Sequence, residues 1–274
     1  MVFIVTKKLN HGTSNPIIAR LGPQTQDLTQ AFPLTKQQKD EIFEILFVKV
    51  SRRLITCYEI LETVKSEINQ ITNEIKKSGL EIQPGGSTIT LPQVSKLEEK
   101  VESFLYNAKS ALRDLSQIFK VFYKKEFDHS RYHEIQQWAE REIGLESPLA
   151  KLLADDQLWI KSLVSKRNAV EHPRGYSGYL HIQNYQLHGR FEEGNASIQE
   201  PTWHLNDEKP CLIADDLNTY LWNLLEFSED LLAVCLMSLE EKFPLVIGTV
   251  PEEERDPECP IRLRVTLDPE KIRI

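Results

Sequence analysis

Along most of the chain, apolar residues recur at steps of three and four, the spacing that puts them on one face of a helix. Leu54, Tyr58, Leu61, Val64, Ile68, Ile71 and Ile75 form one such stripe. Its helix opens after the capping-box pattern Thr35-x-x-Gln38 and runs to about Lys77, where Ser78-Gly79 ends it. A turn at Pro84-Gly85-Gly86-Ser87 leads to a second capping box, Ser95-x-x-Glu98. Leu97, Val101, Phe104, Leu105, Ala108, Leu112, Leu115, Phe119 and Phe122 then mark a second long helix, to about residue 123. The short connection predicts that these two helices pack antiparallel. Asp128-His129-Ser130 precedes a shorter helix over about 131–143, which Gly144 stops. Ser147-Pro148 is an N-cap and first-turn pair that opens a helix over 147–171, with Leu149, Leu152, Leu153, Ile160, Leu163, Val164 and Val170 facing inward. Pro173 and Gly175 end it, and the proline places His172 at the helix end. A fifth helix runs over about 213–243, with Leu217, Leu221, Leu224, Leu231, Cys235 and Leu239 inward.

The period changes in three places. Leu180, Ile182, Tyr185 and Leu187 roughly alternate, so 176–210 reads as a β-hairpin inserted between helices. Leu245-Val246-Ile247 and the alternating run from Ile261 to Leu267 read as strands joined by an acidic, proline-bearing loop. Phe3-Ile4-Val5 reads as a short edge strand, and Asn10 to Gln30 as a loose polar arm. The expected organisation is an irregular arm (1–34), a helical bundle (35–243) and a strand-like tail (244–274). The fold class is mostly α: an up-down bundle of about five helices with a β-hairpin insertion and a small terminal β element.

Composition narrows the setting. Of 274 residues, 41% are hydrophobic and 27% charged, which suits a globular protein with a sizeable core. The net charge of −8 argues against a broad basic surface, because phosphate attraction dominates nucleic-acid affinity, but a local basic cleft remains open. Cys57, Cys211, Cys235 and Cys259 have no metal-ligand spacing and are expected as free thiols in a reducing compartment. The apolar run at the start is too short for a signal peptide, and no run suits a membrane span. The expected location is cytoplasmic, with no membrane partner. Neither a metal nor a cofactor is expected.

The stretch Arg167-Asn168-Ala169-Val170-Glu171-His172 carries the candidate chemistry. Cleaving RNA without a metal requires activation of the ribose 2′-hydroxyl, compensation of charge on the phosphate, and protonation of the leaving 5′-oxygen. Histidine transfers protons near neutral pH, and arginine offers a permanent planar fork matched to phosphate oxygens. Asn168 is a candidate to position a neighbour or the phosphate. Lys161, Lys166 and Arg174 make this the most basic short stretch of an acidic chain, and they are candidate RNA contacts.

This stretch resembles the signature of the HEPN superfamily: an arginine, four to six residues, then a histidine, usually with a polar residue directly after the arginine. The helical order over about 92–243 is also similar. The resemblance implies an all-helical domain in which two copies of the motif face each other across a homodimer and form one metal-independent endoribonuclease site. It further implies Arg167 as phosphate binder, His172 as proton-transfer group, Asn168 as positioner, and a 2′,3′-cyclic phosphate product. Many such proteins belong to toxin–antitoxin or anti-phage systems, so an antitoxin or other protein partner is implied too. Other members have lost catalysis and serve as dimerisation or RNA-binding modules, which is the alternative reading.

The bare pattern is not specific. Arg174 and His181 also match it, but Pro173, Gly175 and Gly178 forbid a helix through that match. At about 100° per residue, Arg167 and His172 stand roughly 140° apart around an ideal helix, so they converge only if the helix end loosens or a second copy closes the site. The plain structural reading pairs Arg167 with Glu171 one turn on, with His172 capping the helix. A third reading, a small-ligand-binding bundle, requires an enclosed pocket. Elsewhere, His129 with His133, and His181, His188 and His204, read as solvated positions. Asp155-Asp156 reads as a solvated face and Asp215-Asp216 as a match to a helix dipole. Trp138, Trp159, Trp203 and Trp222 read as core or interface anchors.

Overall fold

The structure, a computed structural model, describes residues 10–82, 89–127, 131–189, 197–239 and 244–268. The expected strand at Phe3–Val5, the turn at Pro84–Ser87 and the spacer Asp128–Ser130 lie outside these residues, while the fifth helix ends at Met237, short of the expected Phe243, and leaves Leu239 beyond it. The described residues are mostly helical. No helix among them is long and apolar enough to cross a membrane.

Residues 10–34 are a correction to the loose arm: they hold helices α1 (Pro16–Leu21) and α2 (Pro23–Ala31). Asn15 caps α1 by accepting from Ile17 N–H at 2.9 Å, and a proline sits in the first turn of each helix. Helix α3 (Lys36–Phe43) starts at Thr35 with both bonds of the capping box formed. A π-helical stretch (Glu44–Val50) links it to α4 (Ser51–Ser78), so the expected 36–77 helix is one continuous run with a widened segment. The two-residue strands β1 (Glu81–Ile82) and β2 (Ile89–Thr90) pair before α5 (Leu97–Leu115). The second expected helix breaks at Ser116-Gln117, and α6 (Ile118–Tyr123) follows separately. Helices α7 (Tyr132–Glu142) and α8 (Pro148–Glu171) match their expected spans. Ser147 caps α8, its hydroxyl accepting from Ala150 N–H at 3.2 Å.

The hairpin segment holds β3 (Leu180–Gln183), β4 (Gln186–His188), β5 (Ser197–Gln199) and β6 (Thr202–Leu205). Antiparallel pairs β3·β6 and β4·β5 nest within it, and β7 (Cys211–Leu212) pairs with the other edge of β6. Helix α9 (Ile213–Met237) follows directly, and the tail forms an antiparallel pair, β8 (Leu245–Thr249) with β9 (Leu263–Leu267).

The chain groups into two compact units, 1–52 with 111–155 and 225–274, and 53–110 with 156–224. The first is built round a buried charge. Glu229 is 1% exposed and accepts from Arg20 Nε at 2.8 Å, Gln24 Nε2 at 2.7 Å and Arg262 Nε at 3.0 Å. Arg262 also pairs with Asp230. The Gln24 carboxamide oxygen accepts from the backbone N–H groups of Arg262 and Leu263, so α2, α9 and the β9 region share one network. In the second unit, Trp203 is fully buried, and its Nε1 donates to Asp216 Oδ2 at 2.7 Å. Cys211 Sγ donates to the same oxygen at 3.0 Å. Asp216 therefore fastens the hairpin to the first turn of α9, a role beyond the helix dipole.

Candidate functional site

The end of α8 sits within the second unit, beside α5 and the start of α4. On α5, Val101, Phe104, Leu105, Ala108 and Leu112 are buried. That orientation leaves Tyr106 and Lys109 on the outer side, three residues and thus nearly one turn apart.

Arg167 lies against this face. Its guanidinium carbon is 5.6 Å from the centre of the Tyr106 ring, within cation–π range. One of its terminal nitrogens is 3.7 Å from Glu171 Oε2, the one-turn ion pair expected from sequence. The Arg167 side chain is 15% exposed. Asn168 turns to α5, where its Oδ1 accepts from Lys109 Nζ at 2.7 Å. Lys109 also stands 3.6 Å from the same Glu171 oxygen that Arg167 approaches.

His172 is exposed. Its backbone N–H donates to Asn168 C=O at 2.8 Å, so the helical bonding pattern persists through it and the helix end does not loosen ahead of Pro173. Five residues correspond to roughly 140° around an ideal helix axis, and the backbone bond of His172 shows no loosening that would offset this turn. The chain then turns sharply. Gly175 N–H donates back to His172 C=O at 2.9 Å, and Arg174 N–H to Gly178 C=O at 2.8 Å. Arg174 adopts a left-handed φ of 63°. A side chain at Gly175 would bring a Cβ within 2.9 Å of His172 O, which explains the glycine there.

The three basic candidates separate. Lys161 and Arg174 are exposed. Lys166 is a correction: it is 4% exposed and turned inward, not toward solvent where RNA would reach it. Its ammonium donates to Tyr220 Oη at 2.9 Å and Ser162 Oγ at 3.0 Å, and it lies over the Trp203 ring at 5.3 Å. Burial alone pushes the Lys166 pKa down, but the attraction and hydrogen bond of Tyr220, with Asp216 and Cys211 behind, outweigh it and leave the pKa above the ordinary lysine value. Lys166 is thus a charged, structural group that ties α8 to α9.

Sequence reasoning missed Arg53, Tyr106 and Lys109. Arg53, at the start of α4, places its guanidinium carbon 5.8 Å from the Tyr106 ring centre and donates to Asn107 Oδ1 at 3.3 Å. Tyr106 is 49% exposed and lies within cation–π range of two guanidinium groups. Exposure of a tyrosine on an otherwise amphipathic helix was the available signal, but its arginine neighbours come from other helices and share no periodicity with it.

His181 and His204 are directly opposite on β3 and β6, with rings stacked 4.5 Å apart. His133 is exposed, and His129 lies outside the described residues. No group of three or more His, Cys, Asp or Glu among the described residues is arranged to hold a metal ion. Burial raises the Cys235 thiol to about 12 and the Cys211 thiol to about 11, so neither is an activated nucleophile. In the first unit, an open cleft of about 930 Å³ is lined by Lys36, Asp40, Glu44, Lys49, Lys120 and Glu126 among others, charges of both signs that do not converge on one pole.

No family model matches the chain, and neither the curated proteins nor the solved structures yield a match.

Proposed function

We propose that the chain is a HEPN-like, metal-independent endoribonuclease whose working unit is a homodimer of up-down helical bundles. Arg167 lies against Tyr106 of α5 and is 15% exposed, whereas His172 is exposed just past the end of α8, a separation that favours a site completed by a second copy. This is the observation that carries the homodimer. His172 is exposed at the helix end, where a second copy can meet it. In the composite site Arg167 offsets the charge of the phosphate, Asn168 positions it, and His172 transfers the proton. The 2′-oxygen bonds to phosphorus, the bond from phosphorus to the 5′-oxygen breaks, and the products are a 2′,3′-cyclic phosphate and a 5′-hydroxyl. Lys161 and Arg174 supply exposed positive charge along the approach. A cytoplasmic setting in a toxin–antitoxin or anti-phage system, with a protein partner that restrains the activity, fits this reading.

The second reading is a non-catalytic module of the same fold that dimerises or binds a protein. It is favoured by one specific arrangement: Arg167 is paired with Glu171, and Asn168 with Lys109, so two of the three motif side chains are engaged within the chain.

Dilution separates the two. RNA cleavage in EDTA should fall with the square of protein concentration once the protein is diluted below its dimer dissociation constant. Cleavage strictly proportional to concentration while the protein is monomeric would overturn the composite site.

A further inference from the structure

We infer that Lys109 and Arg167 form a phosphodiester-binding site for single-stranded RNA, held closed in the free protein by the Glu171 carboxylate. The inference rests on the ribonuclease reading for its choice of ligand, and on geometry for the site itself. One oxygen, Glu171 Oε2, is approached by Lys109 Nζ at 3.6 Å and by an Arg167 terminal nitrogen at 3.7 Å. Both separations exceed a good charge-assisted hydrogen bond, so the carboxylate is attracted by two cations and tightly bound by neither. Glu171 is also 42% exposed, so a ligand can reach its place from solvent. The carboxylate, held between two cations, occupies the place a phosphate oxygen would take.

The neighbourhood extends the site beyond one phosphate. Tyr106 is half-exposed beside Arg167, with Arg53 also within cation–π range of the ring. Guanidinium and phenol faces are the surfaces on which unpaired bases stack, which favours a single strand over a duplex. In a chain of net charge −8, this grouping of three cations from α4, α5 and α8 is a local exception.

The test is the affinity of a labelled 2′-O-methyl RNA oligonucleotide, which cannot be cleaved through its 2′-oxygen, measured by fluorescence anisotropy in EDTA over a series of KCl concentrations. Glu171→Gln should bind about threefold tighter than wild type, the scale of an exposed ion pair released. Lys109→Gln should bind about fivefold weaker and lose about one from the slope of log affinity against log salt. Equal affinity for Glu171→Gln and wild type overturns the site, as does an unchanged salt slope for Lys109→Gln. If Lys109→Gln does not fold, the exposed Glu171→Gln variant decides alone. A gain for tripolyphosphate in competition, without a gain for RNA, also overturns it in favour of a small-anion site. Cleavage of unmodified RNA is read in parallel. Cleavage without a Glu171→Gln effect rejects the site and keeps the ribonuclease; the binding effect without cleavage rejects the ribonuclease and keeps the site.

Discussion

Lys109 Nζ donates to Asn168 Oδ1 at 2.7 Å, joining the outer face of α5 to the residue directly after Arg167. This bond sets the orientation of the Asn168 amide and holds a second cation beside the motif. Its replacement by a charged acceptor has opposite effects on stability and function. Asn168→Asp should stabilise the protein by about 1 kcal/mol, because a hydrogen bond to a charged group is stronger than one to a neutral amide. The same change puts an anion next to Arg167 and should lower RNA cleavage by about tenfold. Urea unfolding and initial cleavage rates check both halves.

Lys166 gives the contrasting prediction. Lys166→Ala removes a buried ammonium from Tyr220 and Ser162 and leaves a void against Trp203. It should cost about 2–4 kcal/mol of unfolding free energy. At temperatures where the variant is folded, RNA affinity should match wild type within about twofold, because the side chain does not reach solvent. A selective loss of affinity at unchanged stability would mean that Lys166 contacts RNA.

Glu229 tests the buried network of the first unit. Glu229→Gln keeps the shape but leaves Arg20 and Arg262 without their shared carboxylate. Breaking one partner of a buried ion pair costs about 3–5 kcal/mol. A loss below about 1 kcal/mol in the urea midpoint analysis would show that water enters the cluster.

Alkaline pH should destabilise the second unit through the Cys211–Lys166–Tyr220 group. Burial, then Asp216, raises the Cys211 thiol from 9.0 to about 11. Burial also raises Tyr220, against the pull of Lys166, and Lys166 itself is raised. A group whose folded pKa lies above its unfolded value contributes stability that is present below the unfolded value and lost as pH rises through the folded one. Stability should therefore hold up to about pH 9 and fall above it, the share of Cys211 being lost between pH 9 and about 11 and those of Tyr220 and Lys166 starting above their ordinary values of 10.0 and 10.5. Cys211→Ser should flatten part of that fall and leave the part due to Tyr220 and to the buried Cys57 thiol, which burial also raises. A slope identical in the variant would contradict the assignment.

Much of the helical order was legible because each long helix carries a buried stripe and most carry a capping signal, as at Thr35 and Ser147. A β element at 176–210 was legible from alternation, but its register, with Leu180 opposite Leu205, and its division into the nested pairs β3·β6 and β4·β5 were not. The helices at 16–31 were missed although Asn15-Pro16 is the same kind of N-cap and first-turn pair as Ser147-Pro148; the polar composition between them obscured the signal. The break at Ser116-Gln117 has no glycine or proline to mark it. At the candidate site, the pair Arg167–Glu171 follows from helical spacing, and so does the divergence of Arg167 from His172. Lys109, Tyr106 and Arg53 do not, since only packing of separate helices brings them to Arg167. The inward turn of Lys166 was hidden for the same reason: its partners Tyr220 and Trp203 lie 54 and 37 positions away.

The most direct measurement is incubation of the purified protein with a mixed RNA pool in EDTA, beside Arg167→Ala and His172→Ala variants of matched thermal stability. The account predicts cleavage by wild type, 2′,3′-cyclic phosphate ends on the products, and a rate at least about 100-fold lower in each variant. No cleavage by wild type, or cleavage that both variants retain, would contradict the account and leave the partner-binding module as the function of the fold.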